Sequence, residues 1–323
     1  MQGDPDHTSE QRRARIAWYY FVGGLTQQEI SDRLGISRAR VNRILAACRA
    51  DGTVRVDIQS PYARCVALEQ ALSASYGLRE AVVVPVPDDP DSLQQSIGHA
   101  AAAYVAGIVA PGMTLGVGWG RTLGHCVNVL RGPVCDGMTV VALMGGLTHG
   151  SSHNTFELAS RYAEAFGAES LHLASPIYVD DPVVRETLMT THPLRAVRDR
   201  ARAADVAIIS AGDLSDQSLL CRVDSVASLL PALRAQGAVG DILGHFLDAQ
   251  GQVIDHPINH RAMAMTPDGL RQIGHSVAMS GGAHKVPILR AVLTAGYLDA
   301  IVTDETTAAR ILDADASVAT ETG

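Results

Sequence analysis

Beyond residue 80 the chain repeats one pattern: a short, continuously apolar run, a loop rich in Gly or Ser, and a stretch with helical spacing of its apolar positions. Runs at 81–84, 113–117, 139–143, 170–173, 206–210, 276–279 and 300–303 predict strands. Helices are predicted over 93–109, 154–166, 183–203 with a break at Pro193, 223–235, 287–295 and 305–312. Strands that are apolar throughout, rather than at alternate positions, are covered on both faces, and their alternation with helices predicts a mostly parallel sheet. The fold class expected here is a large Rossmann-like α/β domain, with ligand sites at the carboxyl ends of its strands.

The first sixty residues follow a different period. Residues 9–22 predict a helix with Ile16, Tyr19 and Tyr20 inward. In Thr26-Gln27-Gln28-Glu29 the Thr26 hydroxyl can accept the Glu29 amide while the Glu29 carboxylate reaches back, a capping box that starts a short helix. Ile30 and Leu34 share its inner face, and Gly35 supplies a left-handed stop. Ser37 then caps a second helix with Val41, Ile44, Leu45 and Cys48 inward, leaving Arg38, Arg40, Asn42 and Arg43 on its other faces. Helix, Gly turn, helix is the spacing of a helix-turn-helix, whose second helix enters the major groove of double-stranded DNA. Arg38 is the first candidate for a base reader, because Arg can grip guanine O6 and N7 together. Thr26, Gln27, Ser37, Arg40, Asn42 and Arg43 complete the expected DNA-binding set. Alternation over 53–58 predicts a wing strand, so the head is read as a winged helix-turn-helix over 9–58. After Ser60-Pro61, helical spacing over 64–76 predicts a linker helix within 59–79, ahead of an effector-binding and oligomerisation domain at 80–315.

Composition narrows the partners. A net charge of −8 argues at first against nucleic acid, yet residues 1–60 hold nine Arg against seven acids, while the rest holds 17 basic residues against 27 acids. A mildly basic head on an acidic body confines DNA contact to the head and calls for paired copies. Cys48, Cys65, Cys126, Cys135 and Cys221 show neither a disulfide framework nor a zinc spacing, which fits a reducing cytoplasm. A polar start without a signal-peptide pattern, and no apolar run of bilayer length, predict that no membrane is involved. Of 26 basic residues, 25 are Arg; the lone lysine is Lys285.

Three Gly-rich loops follow predicted strands. Gly118-Trp119-Gly120-Arg121-Thr122-Leu123 leads into a helix, where close-approaching amides and a helix N-terminus suit an anion, although a tight turn needing glycine explains it equally well. The dinucleotide and nucleotide-phosphate fingerprints are not matched, and no cofactor is expected. Met144-Gly145-Gly146-Leu147 is the second loop; His149 and His153 beyond it lack a carboxylate or Cys at ligand spacing, so no metal is expected. The third, Ser280-Gly281-Gly282-Ala283-His284-Lys285, sets the lone lysine over a strand end. Asp241 and the pair Asp304-Glu305 add carboxylates that can hold sugar hydroxyls, act as acid or base, or simply cap helices.

Taken together, Leu25-Thr26-Gln27, Leu34 to Arg38, Gly118 to Leu123, Gly240-Asp241-Ile242, Gly281-Gly282 with Lys285, and Val302-Thr303-Asp304-Glu305 resemble the SorC family of sugar-binding transcriptional regulators, over nearly the whole chain. The resemblance implies a bacterial regulator with a fold similar to sugar-phosphate isomerases in its large domain. It implies operator DNA and a sugar, polyol or sugar phosphate as partners, and a homotetramer built as a dimer of dimers. By matching motifs, the loop from Gly118 to Thr122 would hold phosphate, and Asp241 and Lys285 would contact the ligand, with Gly145, Gly146, Asp304 and Glu305 completing the expected effector set. One departure stands out: where many members carry Gly-Ile-Gly after the strand at 206–210, this chain carries Ala211-Gly212-Asp213. The expected function is a regulator of carbohydrate uptake or catabolism that performs no catalysis. The alternatives are an isomerase-like enzyme with a fused DNA-binding head, and an architectural DNA binder whose large domain only oligomerises.

Overall fold

The computed structural model describes residues 5–55, 60, 62–147 and 154–321, and the chain divides into two units, Met1–Ser60 and Pro61–Gly323. In the smaller unit α1 (Pro5–Phe21), α2 (Gln27–Leu34) and α3 (Arg38–Ala50) close over Ile16, Ile30, Val41 and Leu45. The capping box forms: Glu29 donates its amide to Thr26 Oγ1, and the Thr26 amide returns a 2.7 Å bond to the Glu29 carboxylate. Gly35 ends α2 at φ 62°, a conformation that costs a side-chain-bearing residue about 1 kcal/mol or more, and Ser37 caps α3 through the Arg40 amide. The expected wing is not met over residues 53–55, which form no strand. Asp51 Oδ1 takes both the amide and the hydroxyl of Thr53, and Val54 donates to Cys48 O, so the chain folds back on the end of α3. Val56, Asp57 and Ile58 lie outside the described residues.

Among the described residues the larger unit contains ten strands in chain order: β1 (Glu80–Val84), β2 (Thr114–Val117), β3 (Thr139–Ala142), β4 (Glu169–Leu171), β5 (Val206–Ile209), β6 (Ala211–Gly212), β7 (Gly240–Ile242), β8 (His245–Leu247), β9 (His275–Met279) and β10 (Ala300–Asp304). Its helices are α4 (Ala63–Tyr76), α5 (Leu93–Ile108), α6 (Arg121–Val129), α7 (Thr155–Phe166), α8 (Pro182–Thr190), α9 (His192–Arg202), α10 (Asp224–Ala227), α11 (Leu230–Ala235), α12 (Pro257–His260), α13 (Pro267–Leu270), α14 (Val286–Thr294) and α15 (Glu305–Glu321). The helix α4, expected as a linker, belongs to this unit: Cys65 and Leu72 are buried in its core, and α4 packs on β1 and α15. The helix expected over 223–235 is two short ones, because Pro231 at the head of α11 supplies no amide to continue a ladder.

Seven strands make one parallel sheet in the order β1-β10-β9-β5-β2-β3-β4. Every residue of β2, β3, β5 and β10 is buried, and since alternate residues face opposite sides, both faces of the sheet centre are covered. From β2 the chain runs outward through β3 to β4, then returns to place β5 on the other side of β2. That reversal opens a crevice at the carboxyl ends of β2 and β5, the place where open α/β sheets bind ligands. Over it sits a small antiparallel sheet, β6-β7-β8. Its hairpin turn, Leu243-Gly244, has φ of 49° and 75°, the two left-handed residues of a type I′ turn. Leu243 is buried there, close against the space that a side chain on Gly118 would need, while Leu143 fills the corresponding space at Gly116.

Candidate functional site

In the head, the caps of α2 and α3 fix which side chains face solvent. Ser37, Arg38, Arg40, Asn42 and Arg43 are all exposed at the start and outer side of α3, with Thr26 exposed and Gln27 half-buried beside them. Gln27 Nε2 donates to Asn42 Oδ1 at 3.4 Å, which joins the first turn of α2 to α3. Other cations of this unit are engaged elsewhere: Arg33 lies over the Tyr19 ring, Arg49 over the Phe21 ring, and Arg13 pairs with Asp51. Arg38, Arg40 and Arg43 carry no ion pair among the described residues, and form a face chemically suited to phosphates and base edges.

In the large unit, segments after β1, β2, β5 and β9 enclose a cavity of about 210 Å³. Trp119, Gly120, Arg121 and Thr122 line it after β2, Asp241 from β7, and Lys285 after β9, so the structure brings these six expected residues together. The first turn of α6 leaves its amides without intrahelical acceptors, and no described side chain caps it. Arg121 stands at that terminus, so one side of the cavity offers amides, a helix dipole and a guanidinium to an anion. Thr122 is buried and donates its hydroxyl to Gln94 Oε1, while Gln94 Nε2 donates to Gly281 O at 3.1 Å. One side chain from α5 thereby ties the α6 terminus to the loop after β9.

The same cavity carries carboxylates and the lysine. Asp241 is 2% exposed, and burial pushes its carboxyl up to about 7, although the Gly244 amide at 3.2 Å and the charge of Lys285 favour ionisation. Its Oδ1 occupies the place a Cβ on Gly212 would take, 2.1 Å away, so the approach of β6 to β7 needs glycine there. Lys285 is half-buried as a residue; its ammonium donates to the fully buried Ser280 Oγ at 3.3 Å. Burial brings the amine down to about 8, outweighing the opposing pull of Asp213 and Asp241. Desolvation here outweighs the neighbouring carboxylates.

Five expected effector residues do not line the cavity. Gly118 donates its amide to Ile208 O and makes room for Leu243. Gly145 and Gly146 donate to Met263 O and Ser175 O, and a Cβ on Gly145 would lie 2.4 Å from Pro176 O; these glycines serve close packing, not anion binding. Asp304 is the buried cap of α15: its Oδ1 accepts the Thr307 amide, and its Oδ2 accepts the Thr307 hydroxyl and the Gly282 amide. It supports the loop carrying Lys285 from behind. Glu305 is half-buried and opens α15 beside it. His149, Ser151, Ser152 and His153 lie outside the described residues. Asp213, Ser210, Gln94, Ser218 and His284 line the cavity without having been singled out from the sequence. For His284 and Ser210, their position in a loop after a strand was the available signal. Gln94 had none, since its partners are 28 and 187 residues away.

Residues 60–313 match the sugar-binding domain family, and residues 9–50 match the Sigma-70 region 4 family. The erythritol catabolism regulatory protein EryD of Brucella abortus (strain 2308) is 30% identical over 308 residues, 92% of this chain and 95% of the relative. The transcriptional regulator LsrR of Enterobacter sp. (strain 638) is 33% identical over 311 residues, 94% of each. The full-length sorbitol operon regulator SorC of Klebsiella pneumoniae superposes with a TM-score of 0.73 at 26% identity, covering 94% of this chain and 98% of that one. A helical head of the helix-turn-helix type, a parallel-sheet domain with a polar cavity at its switch point, and near full-length similarity to these regulators agree: the chain belongs to the SorC family of sugar-binding transcriptional regulators.

Proposed function

We propose that this regulator reads an operator through Arg38 and the adjacent face of α3, and is switched by a short phosphorylated sugar or polyol held in the cavity of the large unit. The observation that carries this reading is the cavity's polarity: an uncapped helix terminus with Arg121 on one side, and Asp213, Asp241 and Lys285 on the other. The first suits a phosphate, the second hydroxyls. At about 210 Å³ the cavity is smaller than the roughly 300–1,000 Å³ of ordinary ligand pockets, which suits a short-chain ligand. Two of the relatives are named for polyols, erythritol and sorbitol, which favours that class. The protein works in the cytoplasm as a homotetramer, two dimers presenting paired heads to half-sites, and the cavity senses its ligand without turning it over.

Thermal unfolding of the full chain with a panel of sugars, polyols and their phosphates tests this. A ligand that binds only the native state raises Tm, and at 100 times its Kd the gain is about 2.7 kcal/mol. The responding ligand is expected to change operator binding in wild type, and to leave Lys285→Ala bound to DNA but unresponsive. Full response in that variant would remove the cavity from the switch. A second reading, sugar-phosphate isomerisation, is favoured by one observation: Asp241 near 7 and Lys285 near 8 are an acid and a base tuned to neutral pH. Conversion of a bound ligand during incubation would establish it.

A further inference from the structure

Three charged groups face one another across the cavity without touching. Asp213, Asp241 and Lys285 all line it, Asp213 and Lys285 act on the charge of Asp241, Asp213 and Asp241 on that of Lys285, and among the described residues no ion pair joins them. A gap therefore remains between them for part of a ligand. Asp213 is 5% exposed and held in place by its own turn: Oδ2 accepts the Ser215 amide at 3.0 Å. No described group donates to its Oδ1, which is left for whatever fills the gap. Asp241 stands beside it, paired across β6 and β7 with Gly212. The cavity thus presents two carboxylates and one ammonium around this gap.

We propose that Asp213 is a specificity-determining residue that reserves this side of the cavity for an uncharged, hydroxyl-bearing terminus and turns away ligands with a second anionic group, such as aldonic acid phosphates. The inference rests on the effector reading of the cavity. Carboxylates accept hydrogen bonds and give none, so two of them are satisfied by the hydroxyl protons of a polyol. A ligand carboxylate in the same place offers only acceptors, and brings a third negative charge beside Asp213 and Asp241. The phosphate of either ligand is served separately, by Arg121 and the α6 terminus, so discrimination arises only at the other end of the molecule.

The test uses calorimetric titration of the full chain at about pH 8, where Asp241 is mostly ionised. The probes are matched pairs of four, five and six carbons: erythritol 4-phosphate against 4-phosphoerythronate, ribitol 5-phosphate against 5-phosphoribonate, and glucitol 6-phosphate against 6-phosphogluconate. For the chain length that binds, wild type is expected to prefer the polyol by about tenfold or more. Asp213→Asn keeps an acceptor for Ser215 and is expected to shrink that ratio at least about fivefold, with Asp213→Ser doing the same should the first variant unfold. Wild-type affinities for the two members that agree within about threefold would overturn the assignment, as would an unchanged ratio in the folded variants. If no member of any pair binds wild type, the effector reading itself fails and takes this inference with it.

Discussion

Arg38 and Asp241 show how differently a single side chain can be judged from its surroundings. Arg38 is exposed at the first position of α3, and no core contact depends on it. Arg38→Ala is therefore expected to leave Tm unchanged while removing about 1–3 kcal/mol of discrimination between operator and scrambled DNA. Footprints of equal sharpness from variant and wild type would take Arg38 off the reading face. Asp241 is the reverse case, a buried acid whose charge the fold disfavours. Its folded value of about 7 lies above the ordinary 3.8, so between them the folded chain holds a proton the unfolded chain has lost, and stability falls as pH rises through that window. For Lys285 the unfolded chain holds the extra proton between about 8 and 10.5, and stability rises with pH there. The ligand-free fold is thus strained by these two groups most at pH 7 to 8. Asp241→Asn is expected to raise Tm at about pH 8, by roughly 2–4 °C per kcal/mol relieved, and to have little effect at about pH 5, where the native residue is already neutral. Calorimetric scans showing an equal gain at both values would refute the burial argument. The same substitution is expected to abolish the effector response.

At the scale of elements, what the sequence made legible was what neighbours decide. Thr26 with Glu29, Gly35 and Ser37 act within one turn, and the caps they predict are the caps that form. The central strands of the parallel sheet were legible because both their faces are buried, which leaves a continuous apolar run. The β7–β8 hairpin was not, because its turn begins with Leu243, a residue whose type gives no hint of φ 49°; its side chain packs against Gly118, more than 120 residues earlier. Asp304 was ambiguous for a related reason, since a carboxylate at the junction of strand and helix reads equally as ligand contact and as cap. Here it caps α15 and also holds Gly282. Asp304→Ala is expected to cost about 0.5–2 kcal/mol for the lost cap, and more for the buried Thr307 hydroxyl left without its acceptor. It is also expected to weaken effector binding, although Asp304 lines no part of the cavity. Chemical denaturation and ligand titration on the same variant check both; unaltered effector affinity would show that the loop keeps Lys285 in place without this support.

For the whole molecule, the separation into Met1–Ser60 and Pro61–Gly323 lets recognition of DNA and of ligand be tested apart. A head with nine Arg against seven acids has little excess charge to hold a duplex, so tight binding calls for several copies. Residues 61–323 alone are expected to stay oligomeric at micromolar concentration, and sedimentation of a monomer would move the assembly contacts to the head. The position of the cavity has a mechanical consequence as well. Its walls come from β2 on one side of the strand-order reversal and from β5, β9 and β1 on the other, so a ligand seated there grips both halves of the sheet at their seam. It acts as a rivet: the two halves lose freedom to shear past each other, and occupancy becomes readable as stiffness at the outer strand β4, which lines no part of the cavity.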